Sequence, residues 1–213
     1  KTTQVQLVGD KLFNEVDEAL ALGINVKAVI TGPYTLLKLS RFLDGTTPND
    51  FVADLITAYS KVIEKLGQQG VDWVQIDEPA LSFDVNSAEK ALFDKLYQGI
   101  LAVKRSTKIL LQNYFGDIRD IYNDVINLDF DGIGLDFVEG RYNAELVKKN
   151  GFPADKVLFA GVVNGKNIWR NHYANTIDFL NGLNTQAKVV LSSSTSLLHV
   201  PYSAEDETKV PSD

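Results

Sequence analysis

The chain has 213 residues, 45% hydrophobic and 23% charged, enough to bury one sizeable core in a single globular domain. Twenty-one basic against twenty-eight acidic residues leave a net charge of −7 with no local Lys/Arg cluster, so nucleic acid is not an expected partner. With no cysteine there is no disulfide, thiolate metal site or cysteine nucleophile, and two histidines leave little room for a zinc site.

Taken in chain order, periodicity first predicts a helix over 10–22, with Leu12, Phe13, Val16, Ala19 and Leu20 on one face and Gly23 past its end. A strand over 26–31 follows and is stopped by Gly32-Pro33. A helix over 51–66 then presents Val52, Leu55, Ile56, Tyr59, Val62, Ile63 and Leu66 on one face, and Gly67 and Gly70 lead into a strand over 71–76. The theme repeats as helix 87–103 and strand 108–111, helix 118–126 and strand 132–137, helix 143–150 and strand 156–162, and helix 173–183 and strand 187–191. Each connection suits a crossover helix and is too long for a hairpin, so the strands are expected to be parallel.

Parallel strands leave an open doubly wound sheet or a closed barrel. Neither GxGxxG nor GxxxxGK(S/T) occurs, and nearly every strand ends in polar or special residues, as barrel enzymes require. The expected fold is therefore α/β, a parallel (β/α)8 TIM-type barrel with about six of its eight units in this chain. Residues 1–202 are expected to form this incomplete barrel, and 203–213, acidic and flanked by prolines, a solvated exit segment. The missing units and the absence of methionine point to a fragment lacking its first two βα units, or to modified methionines left out of the sequence. No apolar run reaches the roughly 20 residues that span a bilayer. The start, KTTQVQLVGD, has no signal pattern, so a cytoplasmic chain without a membrane partner is expected.

Asp77 and Glu78 end an apolar strand ahead of Pro79, where a carboxylate can act as acid or base, or grip an ammonium group. The alternative is a structural carboxylate bonded to loop amides. Asp136 ends another strand with Glu139 nearby, and paired with Asp77 or Glu78 it would allow the two-carboxylate chemistry of a glycosidase. Gln112, Asn113 and Tyr114 suit a ligand or a polar layer closing the barrel. Arg170 could clamp a carboxylate, with a packing Trp169 and a loop-anchoring Arg170 as the other reading. His199 is expected in the core and His172 at the surface.

In order, ITGPYTLLKLS, GVDWVQIDEPAL, QNYFGD, DGIGLDFVEG, FAGVVNGKNIWR and SSSTSLLHVP make the chain, from Leu12 to Pro201, resemble the N-terminal barrel of cobalamin-independent methionine synthases. The resemblance implies a tandem of two barrels, with zinc and the chemistry in the C-terminal one. There a methyl group passes from 5-methyltetrahydrofolate polyglutamate to homocysteine. The His-x-Cys ligands of that catalytic barrel fall at Gln112–Tyr114 here, its Glu ligand near Asp136 and its last Cys near Thr195. The resemblance thus implies no metal and no catalytic residue in this chain. It sets Asp77 where the catalytic barrel grips the homocysteine amino group, and Phe83 near an acidic pterin contact. In the family the N-terminal barrel packs on the catalytic one and helps to hold the polyglutamate tail through basic residues that would lie upstream of Lys1.

The leading expectation is thus a scaffold for the catalytic barrel of the same polypeptide, inactive alone, with Asp77, Glu78, Asn113 and Asp136 as candidate substrate-binding residues. A carboxylate-dependent glycoside hydrolase and a free-standing small-molecule binding barrel are the alternatives. Unpaired sheet edges are expected to favour self-association.

Overall fold

The structure, a computed structural model, describes residues 4–205 and 208–209. Six strands are present: β1 (Lys27–Thr31), β2 (Trp73–Asp77), β3 (Lys108–Gln112), β4 (Gly132–Asp136), β5 (Val157–Val163) and β6 (Lys188–Ser193). They form one sheet in sequence order, β1-β2-β3-β4-β5-β6, and every neighbouring pair is parallel. Among the described residues β1 pairs only with β2 and β6 only with β5, so the barrel is not closed. The helices are α1 (Lys11–Ala21), α2 (Pro33–Leu39), α3 (Val52–Gln68), α4 (Ser87–Leu101), α5 (Tyr122–Asn127), α6 (Tyr142–Asn150) and α7 (Tyr173–Gly182).

Alternate side chains of a strand point to opposite faces, and the two faces of this sheet differ in kind. On the helix side Ala28, Val74, Ile76, Ile109, Leu111, Ile133, Leu135, Leu158 and Ala160 are buried. They meet Phe13 and Val16 of α1, Leu55, Ile63 and Leu66 of α3, and Leu92, Phe93, Leu96 and Ile100 of α4 in one cluster. Burying each such Leu, Ile or Phe is worth roughly 1.5–3 kcal/mol. On the lumen side the alternating set is Lys27 and Val29, Trp73, Gln75 and Asp77, Lys108 and Gln112, with Gly132 and Gly134 where bulk is not tolerated. A Cβ on Gly134 would stand 2.0 Å from the Gln112 carboxamide oxygen.

Two helices depart from expectation. Gly32-Pro33 stops β1 but also opens α2, because proline suits the first helical position. The other departure is α5, which starts at Tyr122, four residues later than the periodicity predicts. The Ile118 amide is instead held by the Asn143 carboxamide oxygen at 3.2 Å. Residues 203–205 and 208–209 of the expected exit segment are exposed, and its other residues lie outside those described. The side chain of His199, expected in the core, is also outside the described set. Among the described residues no helix is long and apolar enough to cross a membrane.

Candidate functional site

At the end of β2 the alternation sends Asp77 to the lumen and Glu78 to the helix side. Glu78 is fully buried, and its carboxylate accepts from the Tyr34 amide at 3.0 Å, the Thr35 amide at 2.6 Å and the Tyr97 hydroxyl. It thus caps the first turn of α2, more than forty residues upstream, and meets the free amides that a helix start leaves. Burial pushes its carboxyl up to about 7, although hydrogen bonds from Thr35, Tyr97 and Tyr34 pull the other way. Burial, reinforced by Glu78, holds the Tyr97 phenol well above its ordinary value. Gly32 is required beside this carboxyl, since a Cβ there would lie 2.1 Å from the Glu78 carboxyl carbon.

Asn113 and Asp136 extend the same kind of support across β3 and β4. The Asn113 amide group donates to the Glu78 carbonyl at 3.2 Å, and its own buried carboxamide oxygen has no partner among the described residues. Asp136 is fully buried and accepts from the backbone amides of Phe115 (3.1 Å), Val138 (2.8 Å) and Glu139 (3.0 Å). Burial raises its carboxyl, and those amide bonds oppose the rise. Asn143 donates to the Asp136 carbonyl at 2.8 Å, fastening the turn. Glu139 forms an exposed ion pair with Lys166 at 2.9 Å.

Of the four expected residues, Asp77 lines an open pocket at the lumen. The sheet curves until the end of β6 faces β1, and Lys27, Gln75, Asp77, Tyr114, Ser192 and Thr195 share a pocket of about 200 Å³. Asp77 accepts from the Gln75 amide at 2.7 Å and the Tyr114 hydroxyl at 3.2 Å. Burial raises its carboxyl, opposed by those two bonds and by Lys27. Lys27 stands 5.4 Å over the Phe159 ring, and burial holds its ammonium below the ordinary lysine value. Chain-order reading missed Lys27, although the period-two set Lys27, Val29, Thr31 beside Trp73, Gln75, Asp77 carried the signal.

The structure does not bring Glu78 and Asp136 into that pocket, so Asp77 has no second free carboxylate beside it. Trp169 is 61% exposed rather than packed, because no described element covers it. With Arg170, Asn164, Phe137 and His172 it lines a separate surface cleft of about 290 Å³. Among the described residues no group of three or more His, Cys, Asp or Glu is placed to hold a metal ion. Gln112–Tyr114 and Thr195 offer amide, phenol and hydroxyl where zinc takes thiolate and imidazole.

Comparison with known proteins adds three findings. The family profile for the cobalamin-independent synthase N-terminal domain matches residues 1–188. A 5-methyltetrahydropteroyltriglutamate–homocysteine methyltransferase of Streptococcus thermophilus is 52% identical over 211 residues, 99% of this chain and 28% of the relative's length. One from Lactococcus lactis is 50% identical over 210 residues, again 99% of this chain and 28% of the relative. The chain therefore spans under a third of the length of these relatives. Among solved structures, a putative vitamin-B12-independent methionine synthase of Listeria monocytogenes shares the fold with a TM-score of 0.73 at 18% identity, covering 92% of this chain and 66% of that one. A B12-independent methionine synthase of a Shewanella species does so at 0.71 and 13%, covering 94% and 63%. Profile match and near-complete alignment agree with the six-stranded parallel sheet: the chain belongs to the N-terminal domain family of the cobalamin-independent synthases.

Proposed function

We propose that this chain is the scaffold portion of a cytoplasmic methyltransferase that moves a methyl group from 5-methyltetrahydrofolate polyglutamate to homocysteine, forming methionine. The observation that carries the reading is the 52% identity along 99% of the chain to a relative named for that reaction. In this reading the catalytic C-terminal barrel lies in the same polypeptide and holds zinc, which lowers the pKa of the homocysteine thiol. This barrel supplies shape. Glu78, Asn113 and Asp136 hold strand ends and α2 in place, and Asp77 is the residue left facing a ligand.

The open edges belong to the same proposal. The unpaired edges of β1 and β6, with Leu191 63% exposed on the latter, make the chain self-associate unless another segment covers them. The test is methionine formation from the methylated folate and homocysteine. The 213-residue chain alone is expected to give none, and the polypeptide that also carries the C-terminal barrel is expected to turn over. Turnover by the chain alone would overturn the scaffold reading. Sedimentation of the chain is expected to show species larger than its 23.6 kDa monomer, and a clean monomer would refute the edge argument.

A further inference from the structure

The cleft beyond the end of β5 has no part in the scaffold reading. It holds about 290 Å³, close to the lower bound of roughly 300 Å³ for small-molecule sites, which suits one ring with one charged group. Part of its lining is apolar, with Phe137 of the loop after β4 set edge-on to Phe179 of α7 at 5.3 Å. Trp169 lines the same cleft with most of its surface in water. An indole placed in this way has a ring face to offer, and a flat ring stacked on it takes apolar area of both out of water.

The polar lining is of one kind. Among the described residues no Asp or Glu lines the cleft, in a chain with twenty-eight acidic residues. Arg170 does line it, and among the described residues the guanidinium makes neither an ion pair nor a hydrogen bond. Glu139, on the loop after β4, is already taken by Lys166 at 2.9 Å. Two carboxamides add further donors. The Asn164 side-chain oxygen accepts from the Lys166 amide at 2.8 Å, and that of Asn167 from the Trp169 amide at 3.1 Å. A backbone N–H can only donate, so these bonds fix which end of each carboxamide is oxygen. Each NH2 group is left without an acceptor among the described residues. The five N–H of a guanidinium and the two of each NH2 group outnumber the about four lone-pair sites of a carboxylate. A phosphate monoester, with three terminal oxygens and a charge of about −1.5 to −2 at neutral pH, matches them better.

We propose that this cleft binds a phosphate monoester of a flat ring, with the ring on Trp169 and the phosphate on Arg170 and the NH2 groups of Asn164 and Asn167. The proposal is independent of the methyl-transfer reading, because it uses no residue of the lumen pocket and no second barrel. It is tested by isothermal titration of the full 213-residue chain with phenyl phosphate, inorganic phosphate, phenol and benzoate. Phenyl phosphate is expected to bind. Inorganic phosphate and phenol each lack one half of that molecule, and benzoate carries a smaller charge on one oxygen fewer, so each is expected to bind at least about tenfold more weakly.

Arg170→Gln is expected to weaken phenyl phosphate about tenfold or more and to leave phenol unchanged. Trp169→Ala is expected to weaken phenyl phosphate and phenol about tenfold and to leave inorganic phosphate unchanged. Asn164→Asp keeps the acceptor for the Lys166 amide but puts a like charge in the cleft, so it is expected to weaken phenyl phosphate several-fold. An absence of phenyl phosphate binding, or binding that survives any of the three substitutions, overturns the proposal. So does benzoate or inorganic phosphate binding as tightly as phenyl phosphate, since the first makes the cleft a carboxylate site and the second leaves Trp169 without a part. Trp169 and Arg170 are both exposed, so their replacement is expected to leave the fold in place, with circular dichroism of each variant as the check. If either fails to fold, Asn164→Asp decides.

Discussion

The helix side and the lumen side of the same six strands obey different rules. On the helix side even the charged residue is enclosed: Glu78 has Tyr34, Thr35 and Tyr97 around its carboxylate and no access to solvent. On the lumen side Asp77, one residue earlier, has two donors and an open pocket in front of it. Adjacent carboxylates in a strand therefore divide into one that is enclosed by the fold and one that faces an open pocket. The division follows from the two-residue alternation of a strand and from helices covering only one face.

The largest expected effect comes from breaking the enclosed side. Glu78→Ala strands two amides and a phenol in a dry interior and should cost about 3–5 kcal/mol, read as a drop in the urea midpoint. A midpoint within error of the parent would show that α2 does not depend on this cap. Asp136→Ala removes the acceptor of three amides and should cost about 2–4 kcal/mol by the same measurement. Gly32→Ala drives a methyl into the Glu78 carboxyl and should cost about 1–3 kcal/mol. Its partner experiment is the double variant with Glu78→Ala, where the Gly32 penalty should shrink because the obstructing group is gone.

Stability should also depend on pH in a stated direction. The Glu78 carboxyl lies at about 7 in the fold against 4.5 for the free side chain, so between those values the folded chain holds a proton that the unfolded chain has released. Stability from this group is therefore complete below pH 4.5 and is lost as pH rises to about 7. Urea midpoints measured across that window should fall with pH, and Glu78→Gln should flatten the fall. The rises of Asp77 and Asp136 have the same sign, so the variant reduces the slope without reversing it. The smallest effect is expected at the surface: the half-exposed Glu139–Lys166 pair should contribute no more than about 0.5 kcal/mol, and Lys166→Ala should leave the melting curve nearly unmoved.

Much of this molecule was legible residue by residue. The six strands lie where the apolar runs predicted them, because a strand buried by helices needs Val, Ile and Leu in a short block and each block is closed by Gly, Pro or a polar cluster. Helix α2 was not legible. It is seven residues long, and one of its stabilising groups, the Glu78 carboxylate, arrives from another unit of the fold. The delayed start of α5 has a similar cause, with Asn143 of a later helix taking the amide of Ile118.

For the site, Asp77 could be read from its place at a strand end, and so could Glu78, Asn113 and Asp136 as polar residues there. Their division into a pocket-facing residue and three buried supports could not. Composition, periodicity and strand-end chemistry by themselves determined a parallel α/β chain of barrel units with polar residues at one end. Only the tertiary structure decided that Lys27 and Thr195 share a pocket with Asp77. Curvature of the sheet brings the end of β6 across from β1, and that distance is set by the packing of all six strands rather than by any local run of residues.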